Sequence, residues 1–176
     1  VDVCPPQSIP SPEPIPLKPL ATCLDSKIRT LLILHDEDLC IETLPIRKDD
    51  VVGIVMLNAA SQRTAGLLSD KVFRFVQEGL VDAKDRFLSE GSVPYFMGIG
   101  SEEILDLFIK SGAERIVTPY APVGPARDLL DKIEEDLEID IIPIIRVWDK
   151  MCWPHARKGF FAFKKKIPSL VSTLCG

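Results

Sequence analysis

The chain has 176 residues, 46% of them hydrophobic and 27% charged, which fits one compact domain with a sizeable core and an irregular tail. Its formal net charge of −5 and pI near 5.1 exclude a global attraction to phosphate backbones, so no nucleic acid is expected to bind this chain alone. The five cysteines (Cys4, Cys23, Cys40, Cys152, Cys175) are odd in number and unpaired in spacing, which points to an intracellular, reducing compartment; no run approaches the roughly 18 apolar residues of a membrane span, so a soluble chain without membrane insertion is expected.

Residues 1–26 hold seven prolines, a density that removes backbone donors and favours an extended, polyproline-like arm over helix or sheet. A linker or a processing remnant is the plain reading of such a segment; the alternative is an arm that lies along a protein partner. The chain begins without Met, as a processed or trimmed product would. Residues 27–150 then alternate between aliphatic runs and amphipathic stretches. Ile28 to Leu34 reads as the first strand, followed by the polar loop His35-Asp36-Glu37-Asp38. Val51 to Leu57 is a second continuous apolar run, as a strand covered on both faces requires. From Ser69 to Glu90 the positions Val72, Phe73, Phe75, Val76, Leu80, Ala83, Phe87 and Leu88 recur at helical spacing, with Ser69-Asp70 as the capping start and Gly91 as the stop. Tyr95 to Met97 is the next strand, Ser101 to Lys110 a helix ended by Gly112, Arg115 to Thr118 a strand, Gly124 to Leu137 a helix, and Ile139 to Ile145 the last strand. Alternation at these lengths predicts an α/β fold, a five-stranded doubly wound parallel sheet of Rossmann-like type with helices on both faces. Residues 151–176 form a separate C-terminal piece: the loop that begins at Trp148 runs to Pro154, then Phe160 to Lys166 is a short helix with partly buried phenylalanines, ended by Pro168.

Four segments, in order, give this chain a resemblance to a known family. Lys71 to Leu88 carries an Arg-Phe pair before a Leu and a run of alternating charges; Gly98-Ile-Gly-Ser-Glu-Glu-Ile-Leu105 is a turn into a helix; Gly112-Ala-Glu-Arg-Ile-Val leads to Tyr120 and Ala126-Arg-Asp128; and Gly159-Phe-Phe-Ala-Phe-Lys-Lys-Lys166 is an aromatic-basic segment. Together they resemble the N-terminal α/β domain of the photolyase and cryptochrome family, over roughly residues 28–167. The resemblance implies a folate- or flavin-type antenna chromophore in the cleft at the strand ends, and a flavin, electron-transfer tryptophans and a lesion pocket that belong to a helical C-terminal domain outside these residues. The family's Arg-Arg-Asp-Leu-Arg stretch corresponds to Asp36-Glu37-Asp38-Leu39-Cys40, so its arginines are acidic or neutral here. Its folate-contacting Asn-Glu falls on Val123-Gly124, which offers no carboxylate. No cofactor is therefore expected. A plastid stroma is suggested only by the distribution of the family.

The candidate ligand residues lie where doubly wound sheets bind, beyond the carboxyl ends of strands: Leu34, His35, Asp36, Asn58, Gly98, Gly100, Ser101 and Tyr120. Gly98-x-Gly100-Ser101 has the glycines and helix start of a phosphate cradle but neither a third glycine nor a Walker lysine, so a plain turn is favoured. Residues 35–38 hold three carboxylates, yet four consecutive residues cannot all face one point, and a solvated acidic loop is favoured over a cation site. Cys152 and His155 have C-x-x-H spacing without the further ligands zinc takes, and no catalytic triad is evident. Lys164 to Lys166 beside Phe160, Phe161 and Phe163 read as a helix with a basic solvated face. The expectation is a non-catalytic binding or interaction module, an accessory subunit of a larger assembly; the alternatives are the antenna domain of a larger photolyase or cryptochrome, and a nucleotide-binding protein of the wider fold group.

Overall fold

The computed structural model describes residues 20–59, 69–88, 93–156 and 159–175. Five parallel strands form one sheet: β1 (Thr30–His35), β2 (Val51–Leu57), β3 (Tyr95–Met97), β4 (Arg115–Pro119) and β5 (Ile141–Ile144), in the spatial order β3-β2-β1-β4-β5. The expected doubly wound architecture is therefore present. All six residues of β1 are buried, because it lies at the centre with a helical layer on each face. Ile33 pairs with Val55 on β2, and Leu32 with both Ile54 and Val117.

Alternation along the strands sorts the aliphatic side chains into two cores. Leu31, Ile33, Val55 and Ile116 meet Ile104 and Leu107 of α2 (Ser101–Ser111) and Leu130 and Ile133 of α3 (Pro125–Leu137). Leu32, Leu34, Met56 and Val117 meet Leu80, Ala83 and Phe87 of α1 (Asp70–Leu88) on the other face. Truncating a fully buried strand residue such as Leu32 to Ala would cost about 2–5 kcal/mol in transfer and cavity terms.

The helix boundaries follow local chemistry. Ser69 caps α1: its hydroxyl accepts from the Lys71 N–H at 3.2 Å and its carbonyl from Val72 at 2.9 Å. The expected stop at Gly91 lies outside the described residues. Gly112 ends α2 at φ 64°, its N–H reaching the Ile109 and Phe108 carbonyls. Burial within α1 differs from the periodic expectation. Leu80, Ala83 and Phe87 are buried, whereas Val72, Phe73 and Phe75 in the first turns are exposed, Phe75 by 76%.

The 36–50 connection contains two short 3-10 turns, Ile41–Thr43 and Lys48–Asp50, with Ile41 buried against the α1 side. At the β5 edge of the sheet, Pro143 lies inside the strand. The Ala21 N–H donates to the Pro143 carbonyl at 3.2 Å, and the Ile145 N–H donates to the Ala21 carbonyl at 2.9 Å, so residues 143 and 145 turn their polar groups outward, away from β4. The donor that proline lacks would have faced that outer edge, and no bond to β4 is lost. Ala21 forms a parallel bridge with Ile144 there. Of the Pro-rich arm, residues 1–19 lie outside the described residues; its end at Ala21 covers part of the β5 edge.

Two secondary-structure expectations for the C-terminal piece are overturned. The segment expected to be a loop from Trp148 to Pro154 is helical: α4 spans Val147–Ala156, held down by buried Cys152, and Pro154 falls in its last turn, where one missing N–H does not stop it. Pro168 begins a helix instead of ending one, as the second residue of α6 (Ile167–Cys175), a position that needs no intrahelical donor. Between them α5 covers Phe160–Lys164. No helix among the described residues is long and apolar enough to cross a membrane.

Candidate functional site

Strand order reverses at β1: the chain moves one way to β2 and β3, then returns to β4 and β5. A ligand crevice in such a sheet is expected beyond the carboxyl ends of β1 and β4. There β1 ends in His35, which is completely buried, with Nε2 at 2.9 Å from the Pro119 carbonyl oxygen. A carbonyl only accepts, so Nε2 carries the proton. The Tyr120 N–H, on the far side of the same peptide, donates to Ile144 of β5 at 3.0 Å, which leaves the Pro119 carbonyl facing β1. The imidazole thus ties the end of β1 to β4 beyond Leu32–Val117, the last pair of their ladder. Its Nδ1 and the Thr118 hydroxyl are buried without a hydrogen-bond partner among the described residues.

The acidic loop that follows is tied down from three directions. Asp36 Oδ1 accepts from the Ala59 N–H at 3.1 Å, linking the ends of β1 and β2. Asp38 takes two hydrogen bonds from Arg146, at 2.7 and 2.8 Å, while Arg146 Nη2 also donates to the Cys40 carbonyl at 2.6 Å and Nε to the Thr43 hydroxyl. Arg86 of α1 donates to the Leu39 carbonyl at 3.0 Å and pairs with Glu42. Burial pushes the Asp38 carboxyl up, but the hydrogen bonds and charge of Arg146, together with the Cys40 N–H, outweigh it and hold Asp38 below the ordinary carboxylate value. The hydrogen bonds to Asp38 in turn raise Arg146 above its usual value, against a smaller opposing effect of burial. The expectation of a solvated acidic loop is corrected: His35 is core, and Asp38 is a part-buried anchor.

The other candidates separate. Leu34 points into the core beneath α1 and is completely buried. Asn58 is half-buried and donates to the Phe73 carbonyl at 3.3 Å, so it joins the end of β2 to the first turn of α1. Tyr120 packs against Trp153 of α4, ring centroids 5.0 Å apart and planes at 53°. His35, Asp36, Asn58 and Tyr120 therefore share the carboxyl end of the sheet. Gly100 and Ser101 belong to a different feature, Gly98 follows the end of β3 just before it, and the phosphate-cradle reading fails on the neighbours of all three. A Cβ at Gly98 would meet the Phe96 ring at 2.6 Å, which is a packing reason for glycine. One at Gly100 would collide with the Glu103 carboxylate, and Ser101 donates to Asp136 at 2.7 Å. Carboxylates already occupy the helix start that an anion would need.

That feature is a cleft of about 590 Å³ between the start of α2 and the outer stripe of α3. Its apolar floor includes Ile99 and Leu129, and its rim carries Glu102, Glu103, Asp128 and Asp136, with Lys132 beside them. The C-terminal piece presents the opposite charge. The expected partial burial of Phe160 and Phe161 is overturned: they are 67% and 82% exposed and pack edge to face on each other, while Phe163 is half-buried. Trp148 and Trp153 on α4 are also exposed. Cys152 and His155 do not converge, the first being buried and the second exposed, and no group of three or more His, Cys, Asp or Glu side chains among the described residues is placed to hold a metal ion. Burial and the charge of Asp149 raise the Cys152 thiol above its usual value, which opposes a nucleophilic thiolate.

Sequence reasoning misses Arg146, Arg86 and Trp153. Only Arg146 leaves a signal, as a lone arginine at the carboxyl end of a strand. No family model matches this chain, and no curated protein or solved structure matches it either.

Proposed function

We propose that this chain is a photolyase- and cryptochrome-like α/β domain that works without catalysis, as a protein-interaction module in a larger assembly. The observation that carries the reading is the set of exposed aromatic side chains on α4 and α5, where Trp148, Trp153, Phe160 and Phe161 reach solvent and Lys164, Lys165 and Lys166 follow along the chain. Exposed aromatic anchors are the composition of interface centres, and lysines suit the polar rim around them. The carboxyl ends of the strands support the same reading from the other direction, since Asp36, Asp38 and Arg146 direct their hydrogen bonds to the chain itself. The basic residues that the resembled family carries in this loop are supplied here from outside it, by Arg86 and Arg146. The test is size exclusion of native material carrying the wild-type chain or F160S/F161S. The wild type is expected to elute well above 19.6 kDa and the double variant to shift toward it. A lone monomer across native extracts, or an unshifted double variant, sinks the proposal.

A second reading, an antenna domain with a bound chromophore, is favoured by one observation: the buried His35 Nδ1 and Thr118 hydroxyl at the ends of adjacent strands, which find no hydrogen-bond partner among the described residues. Polar atoms of a ring system would satisfy both. An absorption band of the purified chain beyond the aromatic region supports it, and aromatic absorbance alone removes it.

A further inference from the structure

Two surfaces of this chain are complementary to each other. Residues 101–140 carry eleven acidic and four basic side chains, net −7, whereas residues 146–176 carry seven basic and one acidic, net +6. The negative region has a concave feature, the cleft of about 590 Å³ with Glu102, Glu103, Asp128 and Asp136 on its rim and Ile99 and Leu129 on its floor. The positive region has a convex one: Phe161, 82% exposed, on a five-residue helix that continues into Lys164, Lys165 and Lys166. An apolar floor inside a rim of four carboxylates and one lysine, Lys132, fits an aromatic knob flanked by ammonium groups, since burying the aromatic ring removes apolar area from water while the lysines answer the net negative rim.

Within one chain the knob does not fill the hole, as the exposure of Phe161 requires. We infer that the cleft of one copy receives the Phe160–Lys166 segment of a second copy of this chain. The contact joins two different patches, so it closes as a pair when both copies make it at once and extends into a chain of copies when they do not. The inference rests on the interaction-module reading but fails separately from it. A chain that is monomeric when pure yet large in native material loses the self-contact and keeps the module.

Sedimentation equilibrium of the purified full chain tests the contact. Raising salt from about 0.1 M to about 1 M shortens the screening length from about 10 Å to about 3 Å. A mass above 19.6 kDa at the lower salt, returning to 19.6 kDa at the higher, is expected. E102K/E103K/D128K makes both surfaces basic and K164E/K165E/K166E makes both acidic, so each alone should associate at least ~100-fold more weakly, because like charges then face each other. An equimolar mixture of the two should associate again. F161S, which changes no charge, should also weaken the wild-type contact, and circular dichroism shows that each variant is folded. The inference is overturned by a wild-type monomer at low salt, by association indifferent to salt and to F161S, or by folded charge variants whose mixture stays monomeric.

Discussion

Arg146 closes on Asp38 with two nearly parallel hydrogen bonds of 2.7 and 2.8 Å across 108 residues of sequence. The side chains are 20% and 18% exposed, so water competes only partly. This fork joins the segment just past the end of β5 to the loop after β1, and its spare N–H groups also hold Cys40 and Thr43. One guanidinium thereby fixes the path of the chain over the carboxyl end of the sheet. A lysine could not do this, having no planar fork.

Removing either partner strands the other in a poorly solvated place. Asp38→Ala and Arg146→Ala should each cost about 2–4 kcal/mol, and Arg146→Lys about half of that. Asp38→Leu and Arg146→Met made together should cost less than the sum of those same two changes made singly, with a coupling of about 1.5–3 kcal/mol in the double-mutant cycle. Urea unfolding monitored by circular dichroism measures all of them. Additive losses would mean that the pair is a surface decoration.

The same pair sets an acid limit. Asp38 has a folded-state value below its ordinary 3.8, against the raising effect of burial, because Arg146 favours the charged form. A depressed carboxylate adds stability that is fully present above its unfolded value and is lost as pH falls through the folded one. Wild type should therefore keep this contribution at about pH 5 and above and lose it progressively from about pH 4 downward. The Asp38→Leu, Arg146→Met variant lacks the titrating group, so the stability gap between the two proteins should narrow in acid. Urea midpoints measured across that range give the result, and a gap that is constant with pH contradicts the assignment.

The strands are legible because each is a local aliphatic run: Leu31 to Leu34, Ile54 to Leu57, and Ile116-Val117 need no distant information to be read as buried on both faces. Gly112 is legible too, since a glycine after the last periodic position predicts the left-handed stop that its φ of 64° displays. What cannot be read are pairings over long sequence distance. Nothing near His35 announces that Pro119 will offer it a carbonyl, so a histidine before three carboxylates looks like loop. Nothing near Trp153 announces Tyr120, and without that contact Pro154 argues against the helix that forms. The aromatic residues at 160 and 161 mislead for the opposite reason, because periodicity assumes that a helix has a core to face, and α5 presents them to solvent.

Glu138 offers a stabilising change. It ends α3 in the left-handed region at φ 53°, where a side chain crowds its own backbone and glycine does not. Glu138→Gly should raise stability by about 0.5–1 kcal/mol, while Gly112→Ala, at φ 64° with the Arg29 guanidinium against it, should lower it by about 1–2 kcal/mol. The two changes should therefore differ in sign. Equal losses in urea unfolding would show that the end of α3 is not held in that conformation.

Nucleotide binding, the remaining alternative for this fold group, requires a helix start open to phosphate. The starts of α2 and α3, which follow the carboxyl ends of β3 and β4, already have a carboxylate beside them. Glu103 folds over Gly100 at α2, and Glu37 lies 3.7 Å from the place a Cβ would take on Gly124, the residue that caps α3. A triphosphate would have to displace these groups and then sit among their charges, and at close range like-charge opposition costs several kcal/mol. Titration calorimetry with ATP and magnesium should therefore give no binding heat up to about 1 mM, where the available free energy is only about 4 kcal/mol. A saturable heat below that concentration would restore the glycine turn as a ligand site and would require Glu103 to swing away from Gly100.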